Sequence, residues 1–237
     1  MMTTSRNKQQ IQPVILGPGG VRAEAALYIV DDQFLFHGVD QSGAEQIKFI
    51  SPGSMREAFA KEPVDSGWLP PGVLRCGTSS RGQWMLSWHK PAMYTVHLAD
   101  RKTPLRVPMP SLIWFGISHN YYIFAARENE FKPNAALYRV PLANVNHHGL
   151  ICFGSEEHPD VGRNGFDLAW NVFWASRFNN DHDNGKSRTH GEAINTQLIE
   201  LSRQKVTNYP LKDLISMDTS LDAAIQRLTR RDKDNED

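Results

Sequence analysis

The chain has 237 residues, 40% hydrophobic and 10% aromatic, enough apolar material for one large domain or a domain with an appendage. Lys plus Arg and Asp plus Glu both number 26, so the net charge is zero and bulk electrostatics argue against a nucleic-acid partner. No apolar stretch reaches the roughly 18 residues that span a bilayer, and the 2 cysteines make no disulfide framework, as suits a reducing compartment.

Residues 1–12 are polar, lack the apolar region of a signal peptide, and read as a disordered start to a cytoplasmic protein. Residues 25–39 hold two apolar runs split by Asp31-Asp32, a β-hairpin signal, and Ile47 to Ile50 adds a short strand. Ser51-Pro52 opens a helix that puts Met55, Ala58 and Phe59 on one face. The stretch from Asp65 to Gly72 is a Pro- and Gly-rich loop. Cys76, with no polar constellation around it, reads as a packed structural cysteine.

Trp84 to Leu98 alternates as two strands interrupted at Pro91, and Leu112 to Ala126 is a second hairpin turning near Ser118-His119-Asn120. Its Trp114, Phe115, Tyr122 and Phe124 are candidate core residues. A polar connector over 128–134 follows. Phe166, Trp170, Phe173, Trp174 and Phe178 recur at three or four, the apolar face of a helix packed on the sheet. Residues 179–191 are a polar loop, 193–202 and 211–230 read as helices, and 231–237 is a charged tail. Strands first and helices afterwards make the class α+β, with 13–230 as a single domain carrying an N-terminal β elaboration.

The stretch from Leu137 to Ser155 concentrates the chemistry. An apolar pair, Leu150-Ile151, leads into Cys152, and Gly154-Ser155 follows. Asn144 precedes the thiol by eight positions and Gly149 by three. A cysteine at the mouth of a turn with an amide folded back toward it suits acyl transfer: the thiolate attacks, and the amide steadies the oxyanion or the loop. The same pattern also describes a small buried hydrophobe beside a β-turn. Zinc is disfavoured, because His147, His148, Cys152 and His158 lack paired ligand spacing. No phosphate-binding glycine motif is present, so any nucleotide-driven activation falls to another protein, and no cofactor is expected.

The run Asn144-Val145-Asn146-His147-His148-Gly149-Leu150-Ile151-Cys152 resembles the active-site segment of ubiquitin-conjugating enzymes. There a His-Pro-Asn triplet precedes a turn, a Gly and the catalytic Cys. Leu142 and Ala143 stand where His and Pro would be, and no Trp follows Cys152 closely. Leu137-Tyr138, Pro141, Asn144-Val145, Gly149, Cys152 and Gly154, with Trp88, Pro91, Pro110, Phe173, Ser176 and Phe178, resemble the prokaryotic branch typified by PRTRC system protein B. That likeness spans about residues 20 to 185. It implies a ubiquitin-conjugating-enzyme-like fold, an antiparallel meander followed by a cysteine loop and C-terminal helices.

The resemblance implies a cytoplasmic carrier that accepts a ubiquitin-like protein as a thioester on Cys152 and passes it to an amine, with Asn144 on the oxyanion or the loop. It implies a ThiF-like activating enzyme and a JAB-type metalloprotease as partners, in plasmid maintenance or antiphage defence. The branch lacks the triplet His and is thought to use a His after the Cys. Here His158, His182 and His190 are the candidates, and His182, between Asp181 and Asp183, is preferred: flanking carboxylates keep a His protonated, which favours a thiolate. Two other readings are a non-catalytic module that holds a ubiquitin-like protein and a stand-alone cysteine hydrolase oriented by Asp181 or Asp183.

Overall fold

A computed structural model describes residues 15–16, 21–22, 25–30, 33–40, 42–59, 66–154, 158–162 and 165–230. Contacts divide the chain into two compact units, Met1–Gly67 and Trp68–Asp237. The expectations for residues 1–12, for the Asp31-Asp32 turn and for the 231–237 tail lie outside the described residues.

In the first unit, β1 (Ile15–Leu16) and β2 (Val21–Arg22) form a short antiparallel pair. The expected hairpin is β3 (Ala25–Val30) with β4 (Gln33–Val39), and β5 (Glu45–Ile50) adds the third strand in the order β3-β4-β5. Helix α1 (Pro52–Phe59) begins where the sequence places it: the Ser51 hydroxyl accepts the Ser54 N–H at 3.1 Å, and Pro52 takes the first helical position. Its apolar face stays exposed apart from a half-buried Met55, with Phe59 at 61% exposure.

The second unit runs β6 (Val73–Ser79), β7 (Gly82–His89), β8 (Ala92–Leu98), β9 (Leu105–Met109), β10 (Ser111–Ile117), β11 (Asn120–Ala126), β12 (Ala136–Arg139), α2 (Gly165–Ala175), β13 (Arg177–Phe178), α3 (Ile194–Arg203), β14 (Ser216–Ser220) and α4 (Leu221–Thr229). One antiparallel sheet has the order β14-β12-β11-β10-β7-β6, and a smaller one has the order β13-β8-β9 with β13 parallel to β8. The mixed α and β content with mostly antiparallel sheets agrees with the expected class.

The period-2 alternation of β10 and β11 sorts their side chains onto two faces. Leu112, Trp114, Tyr121 and Ile123 pack with β8, β9, α2 and α3. Ile113, Phe115, Ile117, Tyr122, Phe124 and Ala126 pack with Leu221, Ala224, Ile225 and Leu228 of α4. Both faces of the sheet are covered, so every residue of β10 is buried.

Three local expectations need correction, and three strands carry no expectation at all. Residues 211–230 are not one helix. A single 3-10 turn over Leu211–Asp213 leads to β14, which pairs with the open edge of β12, and Ser220 then caps α4 through the Ala223 N–H at 3.4 Å. Phe178 is not on the aromatic helix. α2 stops at Ala175 with the Ser176 hydroxyl donating to the Phe173 carbonyl at 2.7 Å, and Phe178 pairs with Leu98 while its ring packs 5.2 Å from that of Phe173. Cys76 is exposed rather than packed, because β6 is the edge strand of the large sheet. Strands β6, β9 and β12 went unread: β9 carries Pro108 and lies at a sheet edge, where a missing N–H is tolerated.

Candidate active site

The chain leaving β12 is apolar and buried through Val140, Leu142, Ala143 and Val145. Leu142 and Ala143, at the places of the missing His-Pro, are fully enclosed core residues. Asn144 to Cys152 then folds back on itself as a tight hairpin. The Cys152 N–H donates to the Asn144 carbonyl at 2.8 Å, the Asn146 N–H donates to the Leu150 carbonyl at 2.8 Å, and Val145 bridges Ile151. On its other side the returning strand lies along β11, where the Ile151 N–H donates to the Tyr121 carbonyl at 2.9 Å and the Gly149 carbonyl accepts the Ile123 N–H at 2.9 Å.

The turn is built by side chain and glycine. The Asn146 amide oxygen accepts the N–H groups of His148 at 2.9 Å and Leu150 at 3.0 Å, an Asx-type closure. Gly149 has φ 87°, and a Cβ there would overlap the Phe124 ring, so both backbone and space require glycine.

Asn144 is the hinge between this hairpin and the segment after α2. Its φ is 58°, the left-handed region that Asn tolerates better than most residues. Its backbone N–H donates to the Asp181 carbonyl at 2.8 Å. Its side-chain Nδ2 donates to the Arg177 carbonyl at 3.0 Å, and its Oδ1 accepts the Asn179 N–H at 3.2 Å. One partner is an acceptor and the other a donor, so the amide has only one satisfactory orientation. The residue is 8% exposed.

Cys152 is exposed into a cavity of about 570 Å³ between the hairpin and the end of α2. Asn144, Ser176, Arg177, Asn179 and Asp181 supply its polar wall, and Phe153 and Val172 part of its apolar wall. Among the described residues, one basic residue, Arg177, and one acidic residue, Asp181, line the cavity with Cys152. The Asp181 carboxylate is held by Asn179, whose Nδ2 donates to Oδ2 at 2.8 Å while its Oδ1 accepts the Asp181 N–H at 2.7 Å. The chamber can seat an acyl group against sulfur beside the bound Asn144 amide.

Of the sequence candidates, the structure brings Cys152 and Asn144 together at the cavity, whereas His158, His182 and His190 are not among its lining residues. His182 has φ 54°, is exposed, and does not line the cavity, although its neighbour Asp181 does. His158 stacks on Phe153 with ring centroids 4.8 Å apart, and His190 pairs with Glu200 on α3 at 3.2 Å. His147 reaches the Asn184 side chain at 3.2 Å. Among the described residues no group of three or more His, Cys, Asp or Glu is placed to hold a metal ion. The same residues contain no helix long and apolar enough to cross a membrane. Arg177 and Asn179 went unread as site residues. Their only signal was their position on either side of Phe178.

Comparison with protein families matches residues 47–217 to the model of prokaryotic E2 family D. The search of curated proteins and the search of solved structures each returned no match. The matched region takes in the cysteine hairpin, Asn144 and the cavity wall from Val172 to Asp181, and agrees with the resemblance drawn from Asn144 to Cys152. Covering well over half of the sequence, the match makes this chain a member of prokaryotic E2 family D.

Proposed function

We propose that the protein is an E2-like acyl carrier whose nucleophile is Cys152. The observation that carries this reading is the exposure of the Cys152 thiol into the cavity opposite Asn144, within a chain of an E2-like family. The order of antiparallel strands, cysteine segment and helices supports reading the second unit as a variant of the ubiquitin-conjugating-enzyme fold.

In the first step the Cys152 thiolate attacks the carbonyl of a ubiquitin-like protein held as a thioester on its activating enzyme. The new S–C bond forms, the activating enzyme's thiol leaves, and the acyl group rests on Cys152. In the second step a neutral amine attacks that carbonyl, Cys152 leaves as thiolate, and the nitrogen sheds a proton. Asn144 Nδ2 has one hydrogen on Arg177, which leaves the other free to meet charge developing on the carbonyl oxygen. His182 acts in this scheme only with its loop closed over a bound partner. A ThiF-like activating enzyme and a ubiquitin-like protein are the proposed partners, with a JAB-type metalloprotease to reverse the product.

The test is a reductant-sensitive shift of the protein in the presence of a ubiquitin-like protein, its activating enzyme and ATP. The shift is expected in the wild type and absent in Cys152→Ala. A protein that binds the ubiquitin-like partner without forming the thioester is a binding module, and the carrier reading fails.

A further inference from the structure

Lys186 carries a buried amine that the proposed chemistry does not use. It sits in the loop between β13 and α3 with 0% exposure, and its Nζ donates to the Val145 carbonyl and, at 3.4 Å, to that of Asn146. The geometry of the hairpin explains why an acceptor is waiting there. Hydrogen bonds at Asn144 and Asn146 flank the Val145–Ile151 bridge, so the N–H and C=O of Val145 point away from the returning strand. Val145 is fully buried, and its outward carbonyl needs a donor from elsewhere in the protein.

The base of the lysine arm is fixed independently. The Thr189 N–H and hydroxyl both donate to Asp213 Oδ1 at 2.8 Å, and Asp213 also accepts from Gln197 at 2.6 Å. Arg139 Nη1 donates to the Gly185 carbonyl at 2.9 Å, and the Gly185 N–H donates to the Gly191 carbonyl at 2.7 Å. A rigid loop therefore extends one long side chain to the outer strand of the cysteine hairpin, whose inner side carries Cys152.

We propose that Lys186 is a positioning residue for Cys152, bracing the Val145–Asn146 backbone so that the hairpin presents its thiol to the cavity. It touches neither thiol nor acyl group and acts through the strand. A hydrophobic residue of the same length would fill the space and leave the Val145 carbonyl unpaired. This inference rests on Cys152 being the nucleophile.

The experiment compares the wild type, Lys186→Met, Lys186→Arg and Thr189→Ala, all with Cys76→Ala. Amide hydrogen exchange is followed in peptides spanning 144–152 and, as control, strand β7 at 82–89, which makes no bond to the hairpin. In Lys186→Met the hairpin peptide exchanges about tenfold faster or more, the effect of leaving a buried carbonyl without its donor, while the control peptide keeps its protection. The rate of thioester formation at saturating activating enzyme falls, the half-saturating concentration stays, and Lys186→Arg recovers most of both protection and rate. Wild-type exchange in the hairpin, or equal acceleration of both peptides, overturns the proposal. Should Lys186→Met fail to fold, Thr189→Ala decides: it removes the hydroxyl bond to Asp213 and leaves only the backbone N–H of residue 189 on that carboxylate, and an unchanged hairpin peptide overturns the brace. If no variant forms a thioester yet the exchange pattern holds, the carrier reading fails and the brace stands.

Discussion

Asn144 and Cys152 face each other across the hairpin, the carbonyl of the first accepting the N–H of the second at 2.8 Å. Asn144 fixes the thiol's strand with its backbone and the Arg177–Asn179 wall with its side chain. A single residue therefore joins the two sides of the cavity.

Asn144→Ala removes both side-chain bonds and leaves the Asn179 N–H and the Arg177 carbonyl without their partner. Stability should fall by about 1–3 kcal/mol, measured by urea unfolding. Discharge of a preformed thioester to lysine should slow ~10²-fold, because the free Nδ2 hydrogen meets charge only in the transition state. Discharge at the wild-type rate in folded protein would restrict Asn144 to holding the loop.

Both thiols are exposed, but only Cys152 opens into the chamber, while Cys76 sits on an edge strand. A small alkylating reagent should modify both. Only Cys152→Ala should abolish the reductant-sensitive adduct, and Cys76→Ala should keep it. An adduct surviving in Cys152→Ala assigns the acyl group to another residue.

For His182 the informative change is to Asn, since φ 54° is a conformation that Asn tolerates. The side chain is exposed and outside the cavity wall, so alkylation of Cys152 in the isolated protein should proceed as in the wild type. Loading from the activating enzyme should slow near neutral pH if the loop closes on that partner. An unchanged loading rate removes His182 from the chemistry.

Burial and the neighbouring Arg139 guanidinium push the Lys186 ammonium down from 10.5 to about 7. Between those values the unfolded chain holds a proton that the folded protein has released, so this group makes stability rise with pH across that window. The slope is at most about 1.4 kcal/mol per pH unit, and it vanishes below about 7, where both states are protonated. Lys186→Met should flatten the rise. Urea midpoints near pH 6, 7.5 and 9 measure it, and parallel curves for the two proteins would contradict the assignment.

Gly149→Ala places a methyl group against the Phe124 ring at a φ of 87°. Overpacking and the left-handed backbone together should cost about 2–4 kcal/mol. The strain falls at the turn of the cysteine hairpin, so thioester formation should fall as well. A melting temperature within a degree or two of the wild type would show that the turn can shift freely.

Legibility followed the strength of local signals. The β10–β11 hairpin was plain because both its faces are apolar and Ser118-His119-Asn120 marks the turn. The start of α1 was plain because Ser51-Pro52 is a cap with its own mechanism. β6 was silent, since an exposed edge strand carries no alternation that burial would impose. Residues 211–230 misled because Leu211, Leu214, Leu221, Ile225 and Leu228 recur with near-helical spacing, while Leu211 and Leu214 pack in a different cluster from the α4 residues.

By itself the sequence determined the class, the prokaryotic E2-like resemblance, and the pairing of Cys152 with Asn144 and Gly149. Those residues lie within one short hairpin, whose turn chemistry and antiparallel closure are local. Only the tertiary structure decided the rest of the cavity. Arg177, Asn179 and Asp181 line the same cavity as Cys152 because β13 pairs with β8 and Asn144 binds across to it, both long-range contacts. Lys186 was a lone lysine in a polar loop, and its place against Val145 depends on a carbonyl that became an orphan only when the hairpin closed.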